Sequence, residues 1–405
     1  MIESLKLIFV ITVIILLIKR KWKLGYILLL ASMLLGALFE LNPLEIGKNF
    51  IFGLTHYTTL KLVGIVVGVY ILSGILRRTE HLENLVDSLQ QLIKDYRLIL
   101  AFIPALLGMI PMPAGAMFSA PMVKAVGDRA DLTPEEITFV NYWFRHVWEL
   151  AWPLFPGMIL LVSLLKVEIE QVMIILFPFS IIAIIIGFIW MFTNLKRKNY
   201  AINKNNVYHN LKKFLLSVWP ILTVIILVTV VKIDLLFSLA IVILSLFLIN
   251  FNKLNFSVIK KIIQNDIDLT VIILVASIMI FQRMLQISGA IEIIPEIFTK
   301  LGVHPFFALF FIPFFISIIT GTSLSSIGIG LPILLPIIIQ NEANLYFAMI
   351  AYVGAYTGMM LSPVHLCLVV TRNYFKADLI KIYKMLILPL SSIVLSASMV
   401  VLIKG

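Results

Sequence analysis

The sequence predicts an all-α polytopic membrane protein made of two inverted-topology repeats, each with five transmembrane helices and one re-entrant hairpin. Three observations carry that prediction. The 405 residues are 61% hydrophobic and 13% charged, with a mean hydropathy of +1.07, and their apolar runs repeatedly approach the ~20 residues that span a bilayer. The basic residues are shared unevenly among the short connections, which sets an orientation. The two halves align with each other at an almost constant offset, as an internal repeat does.

Taken in order, apolar runs place spans near 5–19, 24–41, 59–76, 138–165 and 171–193, then near 214–231, 233–250, 268–285, 345–370 and 383–403. Two further apolar zones, 97–126 and 303–338, are interrupted by "PMPAGA" and "GTSLSS". Each leaves two arms of about a dozen residues, too short to cross and suited to a re-entrant hairpin. Before each hairpin runs an amphipathic stretch, 77–96 and 287–302, expected to lie in the interface plane. The organisation is a first repeat over 1–195, a basic cytoplasmic linker over 196–213 and a second repeat over 214–405. The apolar N-terminus carries its positive charges after the run and has no small-residue cleavage site, so it reads as the first span.

With ten crossings and the N-terminus outside, 23 Lys and Arg fall in inner segments and 7 in outer ones, while Arg145 and Arg283 lie within spans. The bias predicts a multi-pass protein of the cell (inner) membrane with both termini outside. The net charge of +11 is dispersed over these loops, so it reads as a topology signal and not as a nucleic-acid surface. The halves then match in sequence. "KLGYILLLASMLLGALFELN" at 23–42 lies over "KIDLLFSLAIVILSLFLINF" at 232–251, and "AFIPALLGMIPMPAGA" over "FFIPFFISIITGTSLS", both at an offset of 209. Tyr142 falls on Tyr352 and Pro153 on Pro363 at 210. Five crossings per half is an odd number, so the second half enters inverted, the arrangement whose binding sites lie where discontinuous helices meet.

Those discontinuities carry the candidate chemistry. "AWPLFPG" at 151–157 and "LSPVHLC" at 361–367 place prolines inside the spans 138–165 and 345–370; proline removes an amide donor and clashes with the preceding turn, so each span should unwind. At the second hairpin tip, Thr322, Ser323, Ser325 and Ser326 offer hard oxygen donors for a dehydrated cation or a carboxylate. The first tip has no side-chain oxygen and would use backbone carbonyls. Ionisable residues within spans default to function. Arg145 and Glu149 stand four apart and can pair on one helix face, either as a buried structural pair or with Arg145, helped by His365, drawing in an anion while Asn141 and Glu149 hold the guanidinium. Arg283, near a span end, suits snorkelling. His146 and Glu149 have an H-x-x-E spacing without further ligands, and one cysteine, Cys367, excludes an intramolecular disulfide and a thiolate cluster. The expectation is therefore no metal.

The arrangement resembles the ion-transporter superfamily of divalent anion/sodium symporters, citrate carriers and gluconate permeases. "IPMPAGAMFSAP", "NYWFRHVWELAWPLFPG" and "GAYTGMMLSPVHLC" look in particular like its member, domain of unknown function family 401. The resemblance implies elevator-type alternating access, a homodimer, sodium held between each tip and the neighbouring break, and a carboxylate between the tips. It nominates Gly321, Thr322, Ser323, Ser325 and Ser326 with Ser362, Val364 and His365 for one site, and Pro111, Ala114 and Gly115 with Trp152 for the other. The Ser-Asn-Thr tip motif of the symporters is absent from the first tip and loosely echoed in the second. The functional expectation is a secondary active transporter of a small anionic metabolite, without cofactor, coupled to sodium or protons. A channel and a membrane-embedded enzyme are the alternatives; no G-x-x-x-x-G-K-[ST] occurs to support primary pumping. The expected partners are that anion and the lipid bilayer, with no nucleic acid.

Overall fold

The computed structural model describes residues 2–112, 115–196, 206–293, 302 and 304–404. The helices of the first half are α1 (Ile2–Lys19), α2 (Leu24–Leu38), α3 (Pro43–Thr55), α4 (Tyr57–Arg78), α5 (His81–Leu92), α6 (Tyr96–Gly108), α7 (Gly115–Arg129), α8 (Pro134–His146), α9 (Pro156–Leu165) and α10 (Ile169–Asn194). The second half contributes α11 (Val207–Thr229), α12 (Leu235–Ile249), α13 (Phe256–Asn265), α14 (Leu269–Ile287), α15 (Pro305–Thr320), α16 (Ser323–Ile338), α17 (Leu345–Met360), α18 (Leu366–Phe375) and α19 (Leu379–Lys404). The protein is all-helical, and α4, α10, α11, α14 and α19 are long and apolar enough to cross a membrane.

The remaining apolar runs resolve into shorter helices. The runs 138–165 and 345–370 are each two helices, α8 then α9 and α17 then α18. The zones 97–126 and 303–338 are helix–turn–helix pairs, α6 with α7 and α15 with α16. Two helices escape a hydropathy reading, α3 and α13; each is short, and each is started by an asparagine cap, Asn42 or Asn255, whose side chain accepts a backbone N–H. The stretch 77–96 is divided, because Glu80 takes a φ of 61° and ends α4 before α5 begins. Part of the stretch 287–302, and residues 197–205 of the linker, lie outside the described residues.

Packing sorts the helices into two groups. α1 to α5 pack mainly with one another and with α11 to α14, and α6 to α10 with one another and with α15 to α19. Each group therefore draws on both halves of the chain. In the first, α4 is tied to the second half at both ends, by Lys61 with Asp234 and by Arg77 and Arg78 with Asp266; the Arg77 Nη2 to Asp266 Oδ1 distance is 2.7 Å. Two arginines on one nearly buried carboxylate make a fork that resists sliding of α4. In the second group, Gly354 and Gly358 of α17 face the carbonyls of Phe310 and Phe314 on α15, where any Cβ would meet the oxygen; small residues here let two helices approach closely. The groups touch where α4 meets α9, α5 meets α6, α14 meets α16 and α1 meets α15.

Helix ends around the second group are well specified. α8 starts in a capping box of Thr133 and Glu136 with Pro134 in its first turn. Asp378 precedes α19 and accepts the Lys381 N–H at 3.0 Å, a bond that holds its carboxyl below the usual carboxylate range.

Candidate functional site

The chain leaves helix over 147–155, between α8 and α9, and over 361–365, between α17 and α18. Unwound backbone strands polar groups that need partners. The Tyr142 hydroxyl donates to the Met360 carbonyl at 3.1 Å, and the Tyr352 hydroxyl to the Glu149 carbonyl at 3.0 Å. The Trp152 indole N–H donates to the Met109 carbonyl at 2.9 Å, and the Ser362 hydroxyl to the Ile318 carbonyl at 2.7 Å. Each interruption is thus bonded to the helix pair beside it and to the opposite helix's end.

At the turn between α15 and α16, Gly321 has a φ of +76°, the left-handed conformation that favours glycine. A Cβ there would stand 3.1 Å from His365 backbone atoms, so the turn lies directly on the second interruption. Most hydroxyls of this turn are spent locally. Thr322 caps α16, its Oγ1 accepting the Ser325 N–H at 3.2 Å and donating to Ser325 Oγ at 2.5 Å. The Ser326 hydroxyl donates to the Pro313 carbonyl at 2.5 Å. Ser323 alone reaches across, donating to Glu149 Oε1 at 2.5 Å.

Arg145 is the centre of the other side. It is 5% exposed, and its Nη1 is buried without a hydrogen-bond partner. The guanidinium packs beneath Gly115, the first residue of α7, where a Cβ would collide with Nη2, and it also faces the Cys367 thiol. The expected four-residue pairing with Glu149 is not made. α8 ends at His146, so Glu149 lies off the helical register and turns to Ser323 instead. Asn141 does not hold the arginine either; it accepts from Ser119 at 2.7 Å and donates to the Ala116 carbonyl at 3.2 Å and to Thr371 at 3.3 Å, joining α7, α8 and α18.

His365, 8% exposed, meets His146 at an Nε2 to Nε2 distance of 3.1 Å. Arg145, His146, Glu149, Ser323, His365 and Cys367 are gathered from α8, the first interruption, α16, the second interruption and α18 into one largely buried polar centre. Of the other sequence candidates, Ser362 and Gly321 border it through His365, Trp152 turns to the Met109 carbonyl, Pro111 is buried, and Ala114 lies outside the described residues. Val364 is 57% exposed. Arg283 stands apart, donating to Asn49 at 3.0 Å and lying over the Phe52 ring. Sequence reasoning did not single out Cys367 as part of the centre; its one signal was its position two residues after His365. A cavity of about 850 Å³ lined by Lys61, Lys166 and Lys232 opens beside α9, and neither Arg145 nor His365 reaches it.

Fold and centre together define an all-helical protein with five helices long and apolar enough to cross a membrane and a buried, charged core between two helix interruptions. The chain belongs to the family Protein of unknown function (DUF401), whose model matches residues 1–404. No curated protein matches it.

Proposed function

We propose that this protein is a secondary active transporter of the elevator type, moving a small carboxylate coupled to sodium or protons. The observation that carries the reading is Arg145: a guanidinium that is almost fully buried, with an Nη1 that makes no hydrogen bond. A buried donor left without a hydrogen bond is costly. A carboxylate arriving from solution would satisfy it in the bidentate geometry for which arginine is suited.

An inverted repeat supports the mechanism. Met109 and Ile318 are 209 residues apart, and Trp152 and Ser362 are 210 apart, so the bond from Trp152 to Met109 and that from Ser362 to Ile318 are counterparts. Tyr142 and Tyr352, also 210 apart, each bond the carbonyl at the opposite interruption. In this reading α6 with α7 and α15 with α16 are the two re-entrant hairpins. The group of α6 to α10 with α15 to α19 is the moving body, and the group fastened by Asp266 is the fixed one, in a homodimer of the cell membrane with both termini outside.

Reconstituted proteoliposomes test this. Counterflow of a labelled small carboxylate should saturate with concentration and accelerate under an imposed sodium or pH gradient, and the gradient that acts identifies the coupling ion. Ohmic, unsaturable current would assign a channel instead. Chemical conversion of the carboxylate without vectorial movement would assign a membrane-embedded enzyme.

A further inference from the structure

We infer that His146, His365 and Cys367 form a binding site for a borderline transition-metal ion, with zinc the ion that fits. The inference stands on the geometry of these three side chains and does not rest on transport. His146 Nδ1 lies 2.7 Å from the Tyr142 carbonyl, and His365 Nδ1 lies 2.6 Å from the Gly321 carbonyl. A carbonyl can only accept, so in both rings Nδ1 carries the hydrogen. The two Nε2 atoms of the neutral rings then present lone pairs to each other at 3.1 Å. Two acceptors held face to face repel unless a cation lies between them.

Cys367 supplies the third donor. Its thiol faces both imidazoles, and the three ligand atoms all lie within 4.8 Å of one another. A tetrahedral zinc ion with bonds of about 2.0 to 2.3 Å requires ligand-to-ligand edges of roughly 3.3 to 3.6 Å. The histidine pair is close to that edge, and the sulfur needs a shift of at most about 1.5 Å. Backbone carbonyls on the distal ring nitrogens are the outer partners that orient metal-binding histidines and fix their tautomer. Two imidazoles and a thiolate select zinc or another borderline or soft ion over sodium or magnesium, which prefer oxygen. Three protein ligands leave the fourth position open. Nothing in the spacing announces this site: His146 and His365 are 219 residues apart, and the cysteine is the only one in the chain.

The full-length protein, purified in detergent and stripped with a chelator, is titrated with cobalt(II) as the spectroscopic probe and with zinc as competitor. One equivalent of cobalt should bind and show thiolate-to-metal charge transfer, which zinc abolishes by displacement. Cys367→Ser, a near-isosteric change, should lose the charge-transfer absorption. His146→Gln and His365→Gln should each weaken binding by at least about tenfold. Because Cys367 is the sole cysteine, maleimide labelling gives a second reading on the unaltered protein: zinc should slow it, and magnesium should not. No charge transfer and no protection by zinc in the unaltered protein would overturn the site and leave a proton shared between the two rings. Equal binding in all three variants would overturn it as well.

Discussion

The two helix interruptions occupy corresponding places in the chain and are built differently. The first, 147–155, is nine residues long and contributes Glu149 and Trp152; the second, 361–365, has five and contributes Ser362 and His365. The helix pairs beside them differ in the same way. Gly115 opens α7 against the side chain of Arg145, whereas Gly321 turns α15 into α16 against the backbone at His365. One side therefore brings the cation, and the other brings the lining and a rigid turn. In the proposed reading, a plan shared by the two halves is divided between binding and support.

The two glycines test that division most strongly. Gly115→Ala places its methyl on the end of a flexible side chain, so the fold should hold while the guanidinium is displaced and carboxylate transport falls by tenfold or more, about 1.4 kcal/mol of binding or barrier. Gly321→Ala places a methyl on fixed backbone in a left-handed conformation, and should lower stability by about 1–3 kcal/mol, read as an earlier unfolding midpoint in detergent. Equal stability loss in both variants would remove the contrast.

A finer comparison lies within the second turn. Thr322→Ala removes a helix cap and should cost about 1 kcal/mol of stability with modest change in transport. Ser323→Ala leaves the cap in place and unpairs Glu149, so its effect should appear in transport more than in the unfolding midpoint. A reversed ranking would place the functional hydroxyl at Thr322.

Much of the helical layout was legible because hydrophobic length and proline act locally. The apolar runs led to α4, α10, α11, α14 and α19, and the segments holding Pro153 and Pro363 are where the chain leaves helix. Proline alone was no guide, since Pro178, Pro220 and Pro389 sit inside continuous helices, where neighbouring groups absorb the lost bond. The short amphipathic helices α3 and α13 were invisible to a search for spans. In the centre, Arg145, His365 and Ser323 could be nominated from residue type, because charges and hydroxyls are conspicuous in an apolar chain. Their partners could not. The register error at Glu149 follows from extending α8 past His146, and the approach of Cys367 to His146 depends on how α18 packs against α8, a tertiary fact with no local trace.

The most direct test of the central claim compares the unaltered protein with Arg145→Gln and Arg145→Lys in thermal unfolding against a panel of small carboxylates, with and without sodium. A carboxylate at about 100 times its dissociation constant should stabilise the unaltered protein by about 2.7 kcal/mol. The gain should vanish in Arg145→Gln and return only partly in Arg145→Lys, which keeps the charge but loses the fork. Undiminished stabilisation of Arg145→Gln by the same carboxylate would contradict the account.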